Sequence, residues 1–188
     1  MLLASRGYDG TTLRDVAREA GLAAGGVYAH YKTKEHLLFD LIDEFMHGLI
    51  GSVAPVAAAD LAPEAKVREA LRAHIAYLTQ RRNLWGILHS WRALTGTNRE
   101  TIQRQRLEYA GLWRSIVTEG IAAGRFAPRD AEMVRRFVHG VADSPGVWFN
   151  PEGGLTVEEL TDAYANMLLY GLLELGPGER ARGGRDER

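Results

Sequence analysis

Apolar residues recur every three to four positions along almost the whole chain, and nowhere do they alternate with polar ones as a half-buried strand requires. Val67, Leu71, Ile75 and Leu78 share one helical face. Tyr109, Leu112, Trp113, Ile116 and Ile121 share a second, and Val134, Phe137, Val138 and Val141 a third. Val157, Leu160, Tyr164, Met167, Leu168 and Leu172 make a fourth. The pattern predicts an all-α fold. Turn residues place breaks at Gly7–Gly10, Gly21, Pro55–Pro63, Asn83, Thr95–Asn98, Pro128 and Pro145–Gly154. Thr156 and Glu159 have capping-box spacing, so the last helix is expected to start there.

A chain of 188 residues suits one compact unit or a small head on a larger body, and its 46% apolar content suffices for a core. The absence of cysteine excludes disulfide and thiolate chemistry and fits a cytoplasmic setting. No stretch approaches the ~20 apolar residues of a membrane span, and Met1–Arg6 is too short for a signal peptide. A net charge of −1 neither demands nor excludes nucleic acid, because salt screens charges beyond about 10 Å and a local site can still be positive.

The segment Gly7–Leu38 is the most informative. Thr11 or Thr12 can cap a helix whose first turn holds Asp15. Leu13, Val16, Ala17 and Ala20 give that helix a small apolar face, Gly21 permits a sharp turn and Leu22 plugs the corner. Residues Ala23 to His30 form a second short helix anchored by Val27 and Tyr31, and Thr33 can cap a third beginning at Lys34. Two short helices joined by a glycine turn, with small residues where they cross, describe a helix-turn-helix. In that motif the second helix enters the major groove. A helical hairpin of some other protein is the competing reading.

The same segment resembles the TetR family of bacterial regulators. It carries Gly7-Tyr8, Thr11-Thr12, Val16-Ala17, Ala20-Gly21, Tyr28-Ala29-His30-Tyr31 and Lys34 in the family's register. The resemblance implies a three-helix DNA-binding head over residues 1–47, a helical ligand-binding and dimerisation domain over 48–175, and a glycine- and charge-rich tail, 176–188, expected to be disordered. It implies Tyr28, Tyr31 and Lys34 near DNA, with Tyr28 and Lys34 on phosphates and Thr12 a further candidate. Arg14 matches a position that reads a base in some relatives. Its fork suits guanine, although an ion pair with Asp15 or Glu19 is equally open. His30 is either a packing residue or a phosphate contact.

Two departures stand out. Where the family's recognition helix opens with polar residues, this chain has Ala23, Ala24, Gly25 and Gly26. Ala24, Gly25 and Gly26 can approach a thymine methyl or the DNA backbone closely but donate no side-chain hydrogen bond. The family's full first helix is also reduced to Met1–Ser5, which leads to the expectation that translation starts upstream of Met1.

For the body, the resemblance implies a small-molecule inducer and a homodimer on a palindromic operator, with no cofactor. Ligand-pocket candidates are Trp85, His89, Trp91, Arg92, Tyr109, Trp113 and Phe137. Candidates for the dimer interface, on helices expected near Arg129–Asp143 and Thr156–Leu175, are Val138, Val141, Leu160, Tyr164, Met167 and Leu168. The run Val147–Thr156, with Trp148-Phe149-Asn150-Pro151-Glu152-Gly153, resembles a loop of acyl-CoA-responsive regulators and points to a hydrophobic or acyl-CoA ligand. Arg92, Arg104 or Arg106 would then meet phosphates. No metal cluster or nucleophile motif is legible, and the His36/Asp40 and His139/Asp143 pairs read as surface pairs, so catalysis is not expected. A helical adaptor that has lost specific DNA binding is the alternative.

Overall fold

The computed structural model describes residues 7–21, 24–127 and 130–171. Nine α-helices and one 3-10 turn occur among them, and no strand. The head comprises α1 (Leu13–Glu19), α2 (Ala24–His30) and the start of α3 (Lys34–Ala58). The body continues with α4 (Pro63–Gln80), α5 (Arg82–Leu88), a 3-10 turn (His89–Ala93), α6 (Gly96–Ala122), α7 (Ala131–Asp143), α8 (Pro145–Trp148) and α9 (Val157–Tyr170).

Side chains that satisfy the first free N–H groups start several of these helices. Thr12 and Asp15 form a reciprocal capping box on α1, and Thr156 and Glu159 form another on α9. Thr33 accepts from the His36 N–H at 3.2 Å, and Asp130 accepts from Glu132 and Met133. Gly21 turns the chain between α1 and α2 at φ +66°, a left-handed conformation that a side chain would strain.

The helix α3 joins head to body. Its 25 residues span about 37 Å at 1.5 Å per residue, and Leu38, Ile42, Phe45, Met46, Leu49 and Val53 form one buried stripe along it. That stripe packs on α4 and α6, where Leu71, Leu78, Tyr109, Trp113 and Ile116 complete the core. α9 lies on α4, and α7 on α6. Ile75, Phe149 and Leu160 form a second, smaller cluster under the loop that follows α8.

Three expected breaks move. α3 runs through Pro55 to Ala58, so the head–body connection shrinks to 59–62. Pro55 removes only the N–H that would have met the Gly51 carbonyl, both residues are exposed, and the helix is one turn from its end. Pro63 instead occupies the first turn of α4, where no N–H is needed. The break expected at Asn83 falls at Arg81, and the one at Thr95–Asn98 narrows to Leu94–Thr95. The expectations for Met1–Ser5, Leu22, Ala23, Pro128, Leu172 and the tail lie outside the described residues.

Candidate functional site

In the head, Val27 is buried and Tyr31 half-buried, so both hold α2 to the core as its anchors. Tyr28 is 46% exposed, and Arg14, Thr12 and His30 are also on the surface. Gly26 is half-buried, while the side-chain environments of Ala24 and Gly25 lie outside the described residues. Asp15 is engaged by Thr12 and by Arg18 at 2.6 Å, and hydrogen bonds from Thr12 hold its carboxyl below the usual range. Arg14 has no ion-pair partner among the described residues; Asp15 pairs with Arg18 instead. Lys34 is tied inward: its Nζ donates to the Tyr8 carbonyl at 2.8 Å and lies 4.0 Å from the Tyr8 ring centroid. It clamps the loop before α1 onto the start of α3.

In the body, a cavity of about 390 Å³ opens between α3, α5, the 3-10 turn, α6 and α7. Its inner wall contains the buried Met46, Leu49, Trp85, Leu88 and Tyr109, and its rim carries the exposed His89, Arg92, Gln103 and Leu107. Five of the seven residues expected from sequence line it: Trp85, His89, Trp91, Arg92 and Tyr109. Trp113 lies one layer behind, donating its indole N–H to the Tyr109 hydroxyl at 2.8 Å. Phe137 does not line it; it is 64% exposed on the outer side of α7.

Two of the three arginines expected to meet phosphates, Arg92 and Arg106, line this cavity. Arg106 and Arg92 stack over Trp91, with guanidinium carbons 5.0 and 5.4 Å from the ring centroid. Neither has a carboxylate within ion-pair reach among the described residues. Burial pushes the Arg106 guanidinium somewhat below its ordinary range, the usual sign of a cation held out of water. Arg135 also lines the cavity but is committed, in a two-pronged bond, to Glu132 at 2.7 and 2.8 Å. That bond, above all, holds Glu132 down at about 2. Arg104 lies outside the cavity lining and hydrogen-bonds to Thr101.

His139 and Asp143, which read as a surface pair, line the cavity too. Asp143 lies between two imidazoles, 3.2 Å from His74 Nε2 and 3.5 Å from His139 Nε2. His74 is fully buried behind it and hydrogen-bonds through Nδ1 to the Tyr109 hydroxyl. Burial lowers the pKa of His139, so it is neutral near pH 7.

The six residues expected at a subunit interface divide between two environments. Val138 and Leu160 are buried in their own protomer, because α7 and α9 turn those positions towards α6 and α4. Val141, Tyr164, Met167 and Leu168 line an open, largely apolar groove between α7 and α9, together with Phe137 and Gly140. Met133 is 67% exposed on the same helix, one turn before Phe137.

A family model described as "Bacterial regulatory proteins, tetR family" matches residues 1–41, and one described as "Tetracyclin repressor-like, C-terminal domain" matches residues 60–172. The chain belongs to the TetR family. This TetR-family chain is accordingly a DNA-binding transcriptional regulator with a helix-turn-helix head, and not an enzyme. It is 25% identical to the HTH-type transcriptional repressor KstR2 of Mycolicibacterium smegmatis over 177 residues, 92% of this chain and 86% of the relative. The crystal structure of PfmR from Thermus thermophilus superimposes with a TM-score of 0.83 at 25% identity, covering 92% of this chain and 95% of that one. A structure of AibR in complex with isovaleryl coenzyme A and operator DNA gives a TM-score of 0.80 at 26% identity, covering 89% and 92%. No helix among the described residues is long and apolar enough to cross a membrane.

Proposed function

We propose that this TetR-family regulator is a homodimeric repressor of a palindromic operator, released by an acyl-CoA or a ligand of similar chemistry: an anionic head on an apolar tail. The observation that carries the ligand class is the pairing of two uncommitted arginines, Arg92 and Arg106, with an inner wall of Met46, Leu49, Trp85 and Leu88. Guanidinium groups suit phosphate oxygens, and the wall suits an acyl chain. AibR, a structural neighbour, was crystallised with isovaleryl coenzyme A and operator DNA.

On the operator, Arg14 reads a guanine edge, Tyr28 and Thr12 hold phosphates with His30 beside them, and Lys34, with one N–H on the Tyr8 carbonyl, turns its remaining donors to a phosphate. Ala24, Gly25 and Gly26 bring the backbone of α2 close to the groove. The exposure of Tyr28 and Arg14, and the lack of a carboxylate partner for Arg14 among the described residues, support these roles. Arg14→Ala then relaxes the preference at one base of each half-site, while Tyr28→Phe weakens all sequences alike. Fluorescence anisotropy on the operator and on single-base variants separates the two effects.

The ligand reading is tested by displacement. Isovaleryl-CoA should release the protein from a DNA fragment carrying its operator, located by footprinting upstream of its own gene. Arg106→Ala should weaken that ligand about tenfold or more, the equivalent of one charge-assisted hydrogen bond of about 1.5–3 kcal/mol, with operator affinity unchanged. Unaltered operator binding across an acyl-CoA series rejects the ligand class.

A further inference from the structure

We propose that the inner wall of the cavity selects ligands whose acyl part carries a hydrogen-bond donor, a hydroxyl group in particular, and that Asp143 is the specificity-determining acceptor. This rests on the acyl-CoA reading above and adds the chemistry of the tail.

A chain of polar contacts runs from Trp113 to Asp143. An indole N–H only donates, so Trp113 supplies the proton in its 2.8 Å bond to the Tyr109 oxygen. Tyr109 is buried, and burial keeps its phenol protonated. The same Tyr109 hydroxyl hydrogen-bonds with His74 Nδ1. The other ring nitrogen of His74, Nε2, faces Asp143 Oδ1 across 3.2 Å. The approach is off the hydrogen-bond line, however. Both His74 Nε2 and Asp143 Oδ1 are buried without a directional partner.

The other side of Asp143 is no better supplied. His139 Nε2 lies 3.5 Å from Oδ2, beyond a good hydrogen bond, and its ring is held neutral by burial. Arg135 is tied to Glu132, and Arg106 lies over Trp91. A carboxylate thus lines the cavity with acceptor capacity that the fold leaves unfilled. Such a group needs water or a ligand donor. A plain hydrocarbon tail sealed against it would strip that water and give nothing back, whereas a hydroxyl can donate to Asp143 and accept from His139. Sites built around an unfilled hydrogen-bonding group reject the analogue that lacks the partner far more strongly than apolar walls reject an extra methylene.

The experiment titrates the full-length protein with butyryl-, hexanoyl- and octanoyl-CoA and their ω-hydroxy counterparts, read by tryptophan fluorescence and by calorimetry. At least one hydroxyacyl-CoA should bind tenfold or more tightly than its parent. In Asp143→Leu, which keeps the branched outline in a somewhat larger side chain and removes the acceptor, that preference should fall below threefold while the plain acyl-CoA binds better than in the parent protein. If Asp143→Leu does not fold, judged by circular dichroism, the wild-type comparison alone decides. Equal affinities within every pair overturn the inference and leave the acyl-CoA reading standing. Binding by no member of the panel overturns both.

Discussion

Phe137→Asp should leave the protein monomeric at micromolar concentration and weaken operator binding by two orders of magnitude or more. Phe137 is 64% exposed at the centre of an apolar strip that includes Met133, Val141, Tyr164, Met167 and Leu168. An exposed apolar strip of this kind is the surface at which the proposed subunits would meet. A carboxylate placed at its centre must be desolvated without a partner if the subunits are to meet, at a cost of several kcal/mol. The effect on DNA follows from linkage. Two heads on one dimer bind two half-sites with an avidity that exceeds either alone by roughly 10²–10⁴, and a monomer forfeits it. Sedimentation velocity together with anisotropy on one-half-site and two-half-site DNA reads both quantities. A dimer with unchanged operator affinity would show that the interface lies elsewhere.

Glu35→Ala should leave ligand and operator each able to bind but break the connection between them. Glu35 stands in the first turn of α3, in the head, yet it caps the first turn of α6, in the body. The Thr95 backbone N–H donates to its carboxylate at 2.7 Å and the Thr95 hydroxyl at 3.0 Å. A carboxylate at a helix N-terminus is well placed, because it meets both free N–H groups and the positive end of the helix dipole. From Thr95, α6 runs to Arg106 and Tyr109 on the cavity wall, and the preceding 3-10 turn carries His89, Trp91 and Arg92. The same turn borders the Gly7–Gly10 loop across a cleft, and Lys34 holds that loop to α3. On the proposed reading, a ligand that draws Arg92 and Arg106 inward would pull on the start of α3 and on the loop before α1. Coupling between two sites is typically about 1–3 kcal/mol, or 5–150-fold. In Glu35→Ala the ligand's effect on operator affinity should fall to about twofold, while Glu35→Gln, which keeps an acceptor, should retain most of it. An undiminished ligand effect in Glu35→Ala would place the coupling on another path.

Local chemistry was legible in the sequence wherever it is decided within a few residues. The caps at Thr12, Thr33 and Thr156, the turn at Gly21 and the anchors Val27 and Tyr31 all depend on neighbours in the chain. Pro55 misled because a proline reads as a stop, while the partly buried Val56 and Ala57 beyond it still pack on the core and carry α3 to its end. The stripe Val134, Phe137, Val138 and Val141 told which residues are apolar but not which neighbour they face. A rotation of about 100° per residue sends Val138 to its own core and Phe137 outwards. The cavity's polar wall depends wholly on tertiary placement. His139 and Asp143 look the same in sequence whether α7 turns them to solvent or to His74, 65 and 69 positions earlier in the chain.

On the proposed reading, occupancy of the arginine-rimmed cavity and occupancy of the operator oppose each other through one structure. A closed cycle on the wild-type protein tests this most directly: operator Kd with and without saturating isovaleryl-CoA, and isovaleryl-CoA Kd with and without saturating operator. Linkage requires the two affinities to fall by the same factor, and the account predicts a factor of at least five. Isovaleryl-CoA that saturates the protein, by calorimetry, while the operator Kd stays where it was would contradict it.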